Sequence, residues 1–409
     1  MPTHEDHALY SPLADLLQAY APPSEDGKPA GNTAAPHPLL TRLFQEAESR
    51  RAADIFISAG FPPAIKTDGK FTPLPLPKLD ASDTAAIAEA TMPAEQTAVF
   101  RQRKEADYTV QSHSHIRYRA HAYCEQGRIG MVLHRIRQDI PALDTLGLPI
   151  KLQELALASQ GLLIVSGMAG SGKSTATAAL LDYRNRNLPG HIITIEEPIE
   201  FIHQPHRCII TQREVGIDTP DWTTAVQHAA RQSPDVICIG EVRNAAEMEH
   251  ALRLAQTGHL CILNLHAANS IQAVEQITHF YLPEHRSRIL ADLALNLNGI
   301  ACLRLAAKTN QNGRIASTDL LINTPAVQDL LFQGDLLHLR ELMARSAQDG
   351  MQTADQNLFR LYADGIIDRQ EALRQADSAN DLRLQIQLHD EGNSTKRLYD
   401  RISDLNLMT

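Results

Sequence analysis

Cysteine is scarce in this chain, and none of it is paired in sequence. Cys124, Cys208, Cys238, Cys261 and Cys302 are scattered through 409 positions with no Cys-x-x-Cys. That pattern excludes a disulfide scaffold and a structural zinc site, and it fits a reducing compartment. Cys238 and Cys261 lie in apolar runs and read as core. Basic excess is missing too. Lys and Arg total 38 against 48 Asp and Glu, a net charge of −10, which argues against a nucleic-acid groove. No apolar run approaches the roughly 20 residues of a membrane span, so no direct membrane insertion is expected. The opening from Met1 to Asp6 is acidic and lacks the basic start of a secretory signal. Eighteen histidines include no His-Glu-x-x-His, and His113 and His115 fall in a polar, strand-like stretch that does not read as a metal site. These absences lead to the expectation of a soluble, cytoplasmic protein.

The length allows two or three domains, each with its own core. Residues 1–36 read as a flexible extension, with a short helix at Leu9 to Ala19 and linker composition from Ala21 to Asn32. A small α+β domain is expected over 37–138. Its first helix, Leu39 to Arg51, carries Leu40, Leu43, Phe44 and Ala47 on one face. A strand follows at Asp54 to Ser58, then two strands around the turn signal Asp68-Gly69. A helix covers 81–91, and strand-like runs lie near 107–111, 115–124 and 127–137. A linker at 139–160 includes a helix from Pro149 to Ala158. Strands at Leu162–Ser166, His191–Ile195, Cys208–Gln212, Val236–Gly240 and Leu260–Leu265 then alternate with helices near 173–186, 221–231, 244–257 and 270–279. Such alternation specifies the α/β class, a mainly parallel sheet covered by helices. From Ile289 to about 386 the chain reads as mostly helical. The core is therefore placed at 161–300, a helical C-terminal region at 301–388, and a frayed tail at 389–409.

One motif stands out. Residues 167–174, Gly-Met-Ala-Gly-Ser-Gly-Lys-Ser, fill every fixed position of G-x-x-x-x-G-K-[ST] between an apolar strand and a helix. Gly167, Gly170 and Gly172 let the backbone N–H groups turn inward on a polyphosphate, with Ser171 and Thr175 beside them. Lys173 reaches toward the β/γ-phosphates, and Ser174 offers a hydroxyl to Mg²⁺. Three later segments narrow the reading. Ile192 to Glu200 is a buried-type strand ending in Glu196, Glu197 and Glu200, where ligands bind in open α/β sheets. Ser233 to Arg243 is an apolar strand closing on Gly240-Glu241. An acid there is placed to hold the metal, and Arg243 is a candidate phosphate or intersubunit contact. Thr257 to Ala267 is a strand bracketed by His259 and His266, both candidates for the γ-phosphate side.

In order, the segments at 167–174, 192–203, 233–243 and 257–267 resemble the Walker A, Asp box, Walker B and His box of the secretion and pilus motor ATPase superfamily. The resemblance is strongest to its type IV pilus retraction branch (PilT/PilU-like, on the PilU side). Ser58–Pro63, Gln212–Asp218, Gly350–Thr353, Phe359–Tyr362 and Ala376–Leu384 carry it. It spans about residues 38–388. The tetracysteine element of assembly-type relatives is not seen. The resemblance implies a RecA-like P-loop ATPase domain, a smaller N-terminal α+β (PAS-like) domain and a helical C-terminal region. It implies ATP and Mg²⁺, with Lys173 on phosphate and Ser174 and Glu241 on Mg²⁺. Glu196 would act on the attacking water, and His266 would lie near the γ-phosphate. Arg117 and Arg119 would be lent to the neighbouring subunit's nucleotide. A hexameric ring would drive pilus retraction and twitching motility from the cytoplasmic side of the inner membrane. Its partners would be a membrane-embedded pilus platform protein and, as a further candidate, a paralogous retraction ATPase.

Several positions depart from that pattern. Glu197 stands where Asp is usual, Asn244 replaces an Asp, and Asn264 replaces a Thr. His134 replaces a later arginine of the first domain, and Arg135, one place on, would face the other side of a strand. These changes keep an alternative in view, an accessory ATP-binding subunit with weak turnover that supports a paralogous pilus or secretion motor. A nucleic-acid translocase is a further rival, disfavoured by the net charge of −10.

Overall fold

A computed structural model describes residues 38–391 except 68, 138 and 310–312. The expected helix at Leu9–Ala19, the linker at Ala21–Asn32, Asp68 of the hairpin turn, and the tail from 392 onward lie outside the described residues. The chain divides into two compact units, Met1–Arg137 and Gln138–Thr409.

In the first unit, helix α1 (Pro38–Ser49) buries Leu40, Leu43, Phe44 and Ala47, the apolar stripe read from its spacing. Six strands follow with two helices between them: β1 (Asp54–Ile57), β2 (Ala64–Thr67), β3 (Lys70–Pro73), α2 (Ala81–Thr91), α3 (Ala94–Arg103), β4 (Glu105–Gln111), β5 (Arg117–Glu125) and β6 (Arg128–Arg135). The sheet order is β3-β2-β1-β6-β5-β4, and every pairing is antiparallel. One face carries the core: Ile55, Tyr108, Tyr118, Ala120, Met131 and Leu133 pack against α1 and α2. Alternate residues therefore point out of the other face. Helix α3 is absent from the sequence reading because none of its residues is buried, so it has no apolar stripe to read. The strand expected from 115 begins at Arg117, because His113 and His115 lie in the connecting turn, where His115 has φ 60°.

The second unit opens with helix α4 (Lys151–Ala156). It continues through β7 (Gly161–Ser166), α5 (Lys173–Asn187), β8 (Gly190–Glu196), β9 (Cys208–Glu214), α6 (Trp222–Ala229), β10 (Val236–Ile239), α7 (Ala245–Gln256), β11 (Leu260–Leu265) and α8 (Ser270–His279). With β12 (Leu297–Ala307) and β13 (Arg314–Ile322) added later in the chain, the sheet order is β13-β12-β7-β11-β10-β8-β9, parallel except where β12 pairs with β13. Its middle strands are apolar throughout; every residue of β7, β10 and β11 is buried, as helices on both faces require.

Here the structure corrects the reading of a chain that turns helical at Ile289. Helix α9 (Arg286–Asn296) is followed by two long strands, β12 (Leu297–Ala307) and β13 (Arg314–Ile322), which complete the sheet. The remainder is helical: α10 (Pro325–Gln333), α11 (Leu336–Arg345), α12 (Ala354–Ala363), α13 (Arg369–Gln375) and a last helix over residues 379–391. No helix among the described residues is long and apolar enough to cross a membrane.

Candidate functional site

Strand β7 runs buried to Ser166, whose hydroxyl donates to Ala267 O (3.0 Å) and accepts from Ala267 N (2.8 Å). That pair locks the start of the phosphate loop to the segment leaving β11. The loop then turns sharply. At Gly167, with φ 145°, an added Cβ would lie 2.5 Å from the Leu303 backbone oxygen, so no side chain fits. Gly172 caps α5 at φ 94°, and the helix starts on Lys173, with half-buried Thr175 in its first turn. The unpaired N–H groups and positive dipole end of that turn form an anion-binding end.

Parallel strands place their following loops on one edge of the sheet. A cavity of about 290 Å³ lies on that edge. It is lined by Gly170, Lys173 and Ser174 from the loop; Glu196, Glu197 and Glu200 from the end of β8; Glu241 after β10; and His266 after β11. Lys173 Nζ donates to Gly167 O and to Met168 O (3.2 Å), and lies 3.2 Å from His266 Nδ1. His266 Nε2 is 3.0 Å from Glu241 Oε1. Arg243 joins Glu241 (3.2 Å) to Glu197 (2.9 Å), and Trp222 Nε1 donates to Glu197 at 3.0 Å. Ser174 Oγ donates to Glu200 Oε1 at 2.7 Å.

These contacts set the charges. Burial lowers the Lys173 pKa, against the opposing pull of Glu241 and Glu200. Burial also raises the Glu241 carboxyl, but the hydrogen bond and charge of Arg243, with His266 and Lys173, outweigh it and the net shift is downward. Glu196 goes the other way. Packing around its carboxyl pushes it up to about 7, against hydrogen bonds from Thr194 and Gln212. The cavity thus sets an ionised acid beside one that titrates near neutrality, a division suited to a cation-binding group and a general base.

The oxygen donors fit Mg²⁺. Ser174 and Glu241 offer hard oxygens, while no group of three or more His, Cys, Asp or Glu among the described residues could hold a metal alone. One or two protein ligands plus phosphate oxygens is how Mg²⁺ is ordinarily held.

Not every expected residue is at this site. His259 is a correction. It precedes β11, and its carbonyl accepts from Gly161 N (3.0 Å), at the amino end of the sheet, the edge opposite the phosphate loop. Its Nδ1 lies 3.1 Å from Leu254 O, a local contact at the end of α7. Arg117 and Arg119 belong to the first unit. The register of β5 with both neighbours is unbroken through Tyr118, which is fully buried, so the two arginines project together from the outer face. Arg119 Nε lies 3.6 Å from Asp107. His134 is the cross-strand partner of Arg119 and contacts Asp54 at 2.6 Å, whereas Arg135 pairs with Tyr118. The other departures have local explanations. Asn244 caps α7 by accepting from Glu247 N, and buried Asn264 accepts from Thr177 Oγ1 at 2.9 Å. Thr194, Gln212 and Trp222 were missed by the sequence reading. Thr194 lies two residues before Glu196 on β8, while only the pairing of β8 with β9 and the return of the chain after β9 bring Gln212 and Trp222 to the acids.

A mainly parallel sheet with a complete phosphate loop at its carboxyl edge, and acids at the ends of neighbouring strands, defines a RecA-like P-loop ATPase domain. The model of the type II/IV secretion system protein family matches residues 135–360, and the chain belongs to that family. It is 43% identical over 355 residues to the type IV pilus ATPase PilU of Pseudomonas aeruginosa, covering 87% of this chain and 92% of that one. Identity to the type IV pilus retraction ATPase PilT of the same organism is 32%, over 82% of this chain and 98% of the relative. A crystal structure of the pilus retraction motor PilT with bound ADP superposes with a TM-score of 0.78 at 33% identity, covering 84% of this chain and 98% of that one.

Proposed function

We propose that this chain hydrolyses ATP as a hexameric ring and drives retraction of a type IV pilus, working from the cytoplasmic side on an inner-membrane platform protein. The observation that carries this is the Lys173–His266–Glu241 chain at the phosphate-loop edge, in a chain similar to pilus ATPases over most of its length. In this reading the loop amides and Lys173 hold the β- and γ-phosphates. Ser174 and Glu241 hold Mg²⁺, which when bound neutralises charge developing on the phosphates. Glu196 takes a proton from the attacking water, and His266 links the phosphate-facing Lys173 to Glu241. Arg117 and Arg119 complete a neighbouring subunit's site in trans, stabilising the transition state electrostatically.

The test is phosphate release by the purified protein, run beside size-exclusion light scattering with and without Mg-ATP. Turnover by a hexamer is expected, together with loss of twitching motility when the gene is deleted. A monomer inactive under all conditions would overturn the reading. Activity seen only with a paralogous retraction ATPase present would move the assignment to an accessory subunit.

A further inference from the structure

Glu196 does not set its own position. Its Oε1 accepts from Thr194 Oγ1 at 2.6 Å and from Gln212 Nε2 at 3.2 Å. Thr194 lies two residues back on β8, on the same side of the strand, and Gln212 of β9 is the register partner of Thr194. The Gln212 carboxamide is committed on both ends. Its Nε2 also donates to Phe201 O at 2.8 Å, and its Oε1 accepts from His203 N at 2.9 Å. One side chain on β9 therefore fixes both the carboxyl of Glu196 and the returning end of the loop that carries Glu200.

We propose that Thr194 and Gln212 are positioning residues for hydrolysis: they hold the Glu196 carboxylate oriented toward the water without touching nucleotide themselves. This rests on Glu196 being the base. Glu196 is packed in protein at the cavity wall, and burial favours its protonated form. Glu200 on the same loop also faces it, and its charge opposes ionisation, while the buried Cys238 thiol on β10 is held neutral beside it. Two side-chain donors on one carboxylate oxygen, with the Glu200 backbone N–H also bonded to the carboxyl, favour the ionised form and fix the plane of the group. A base needs both the correct protonation state and hydrogen-bond reach to the water.

The test compares Thr194→Val, Thr194→Ser, Gln212→Leu, Gln212→Glu and Glu196→Gln in the full-length, assembled protein. It measures kcat against pH, and affinity for a fluorescent ADP analogue. Thr194→Val and Gln212→Leu are expected to lower kcat about tenfold or more, a part of the 10²–10⁴ that general-base catalysis supplies. Their ADP-analogue affinity should stay unchanged, and the acid limb of the kcat profile should move to higher pH. Thr194→Ser keeps a donor and should recover most of the loss. Gln212→Glu keeps the acceptor for His203 N but not the donor, and should be as slow as Gln212→Leu. The proposal is overturned if Thr194→Val and Gln212→Leu keep the wild-type kcat and acid limb while Glu196→Gln is inactive. It is equally overturned if they lose affinity alone, which marks loop ordering. Should Gln212→Leu fail to fold, the near-isosteric Thr194→Val decides. Wild-type turnover by Glu196→Gln would instead sink the reading of Glu196 as base.

Discussion

Lys173 packs against two loop carbonyls and His266, so removing its ammonium deletes a charge at the centre of the cavity and little of the core. Lys173→Ala should abolish phosphate release with the fold intact by circular dichroism, since a charge-assisted contact to phosphate is lost. Turnover at the wild-type rate would contradict the assignment. The two acids should separate in the same assay. Glu196→Gln should bind Mg-ATP and hydrolyse it at least 10²-fold more slowly, about the least that general-base catalysis contributes. Glu241→Gln should also weaken the Mg²⁺ dependence. Normal Mg-ATP binding by the second and normal turnover by the first would refute both roles. A pH effect follows as well. With its carboxyl pushed up to about 7 from 4.5, folded Glu196 holds a proton that the unfolded chain releases across that window. Its contribution to stability therefore falls as pH rises from the lower value through the higher. Glu196→Gln cannot ionise, so its Tm should exceed that of wild type at about pH 8 and converge with it near about pH 5. A variant less stable than wild type at the higher pH would show that burial of this acid costs nothing.

Strand β5 carries the prediction for whole elements. Its unbroken register sends Arg117 and Arg119 out on one face, as a paired clamp requires. Arg119→Ala and Lys173→Ala should each be inactive alone and regain part of the activity when mixed, because some interfaces then receive an intact arginine and an intact loop. Absence of rescue under conditions of subunit exchange would defeat the in-trans arrangement, as would a substantially active Arg117→Ala, Arg119→Ala double variant. Elements also show what a sequence exposes. β7, β10 and β11 were readable because short apolar runs alternated with helical stretches, and the phosphate loop because its spacing is rigid. β12 was not: from Gly299 to Leu303 it is buried on both faces, so no alternation separates it from a buried helix. His259 and His266 bracket one strand, and only the direction of β11 alongside β7 tells which end meets the loop. Gln212 needed the β8–β9 register, which local pattern does not contain, whereas Thr194 shares the strand face of Glu196 two residues on.

At the scale of the whole molecule, charge and thiol placement matter most. With a net charge of −10 and no basic excess, added DNA should leave the ATPase rate unchanged. Stimulation by DNA in the phosphate-release assay would revive a translocase. The five cysteines divide unevenly. Cys208, Cys238, Cys261 and Cys302 are buried, with burial raising each thiol's pKa, while Cys124 is exposed on β5 beyond the two arginines. The unaltered protein thus comes with a single addressable handle. A maleimide dye attached there would report from the arginine-bearing unit through a working cycle, and uptake of further dye would count the molecules that have come undone.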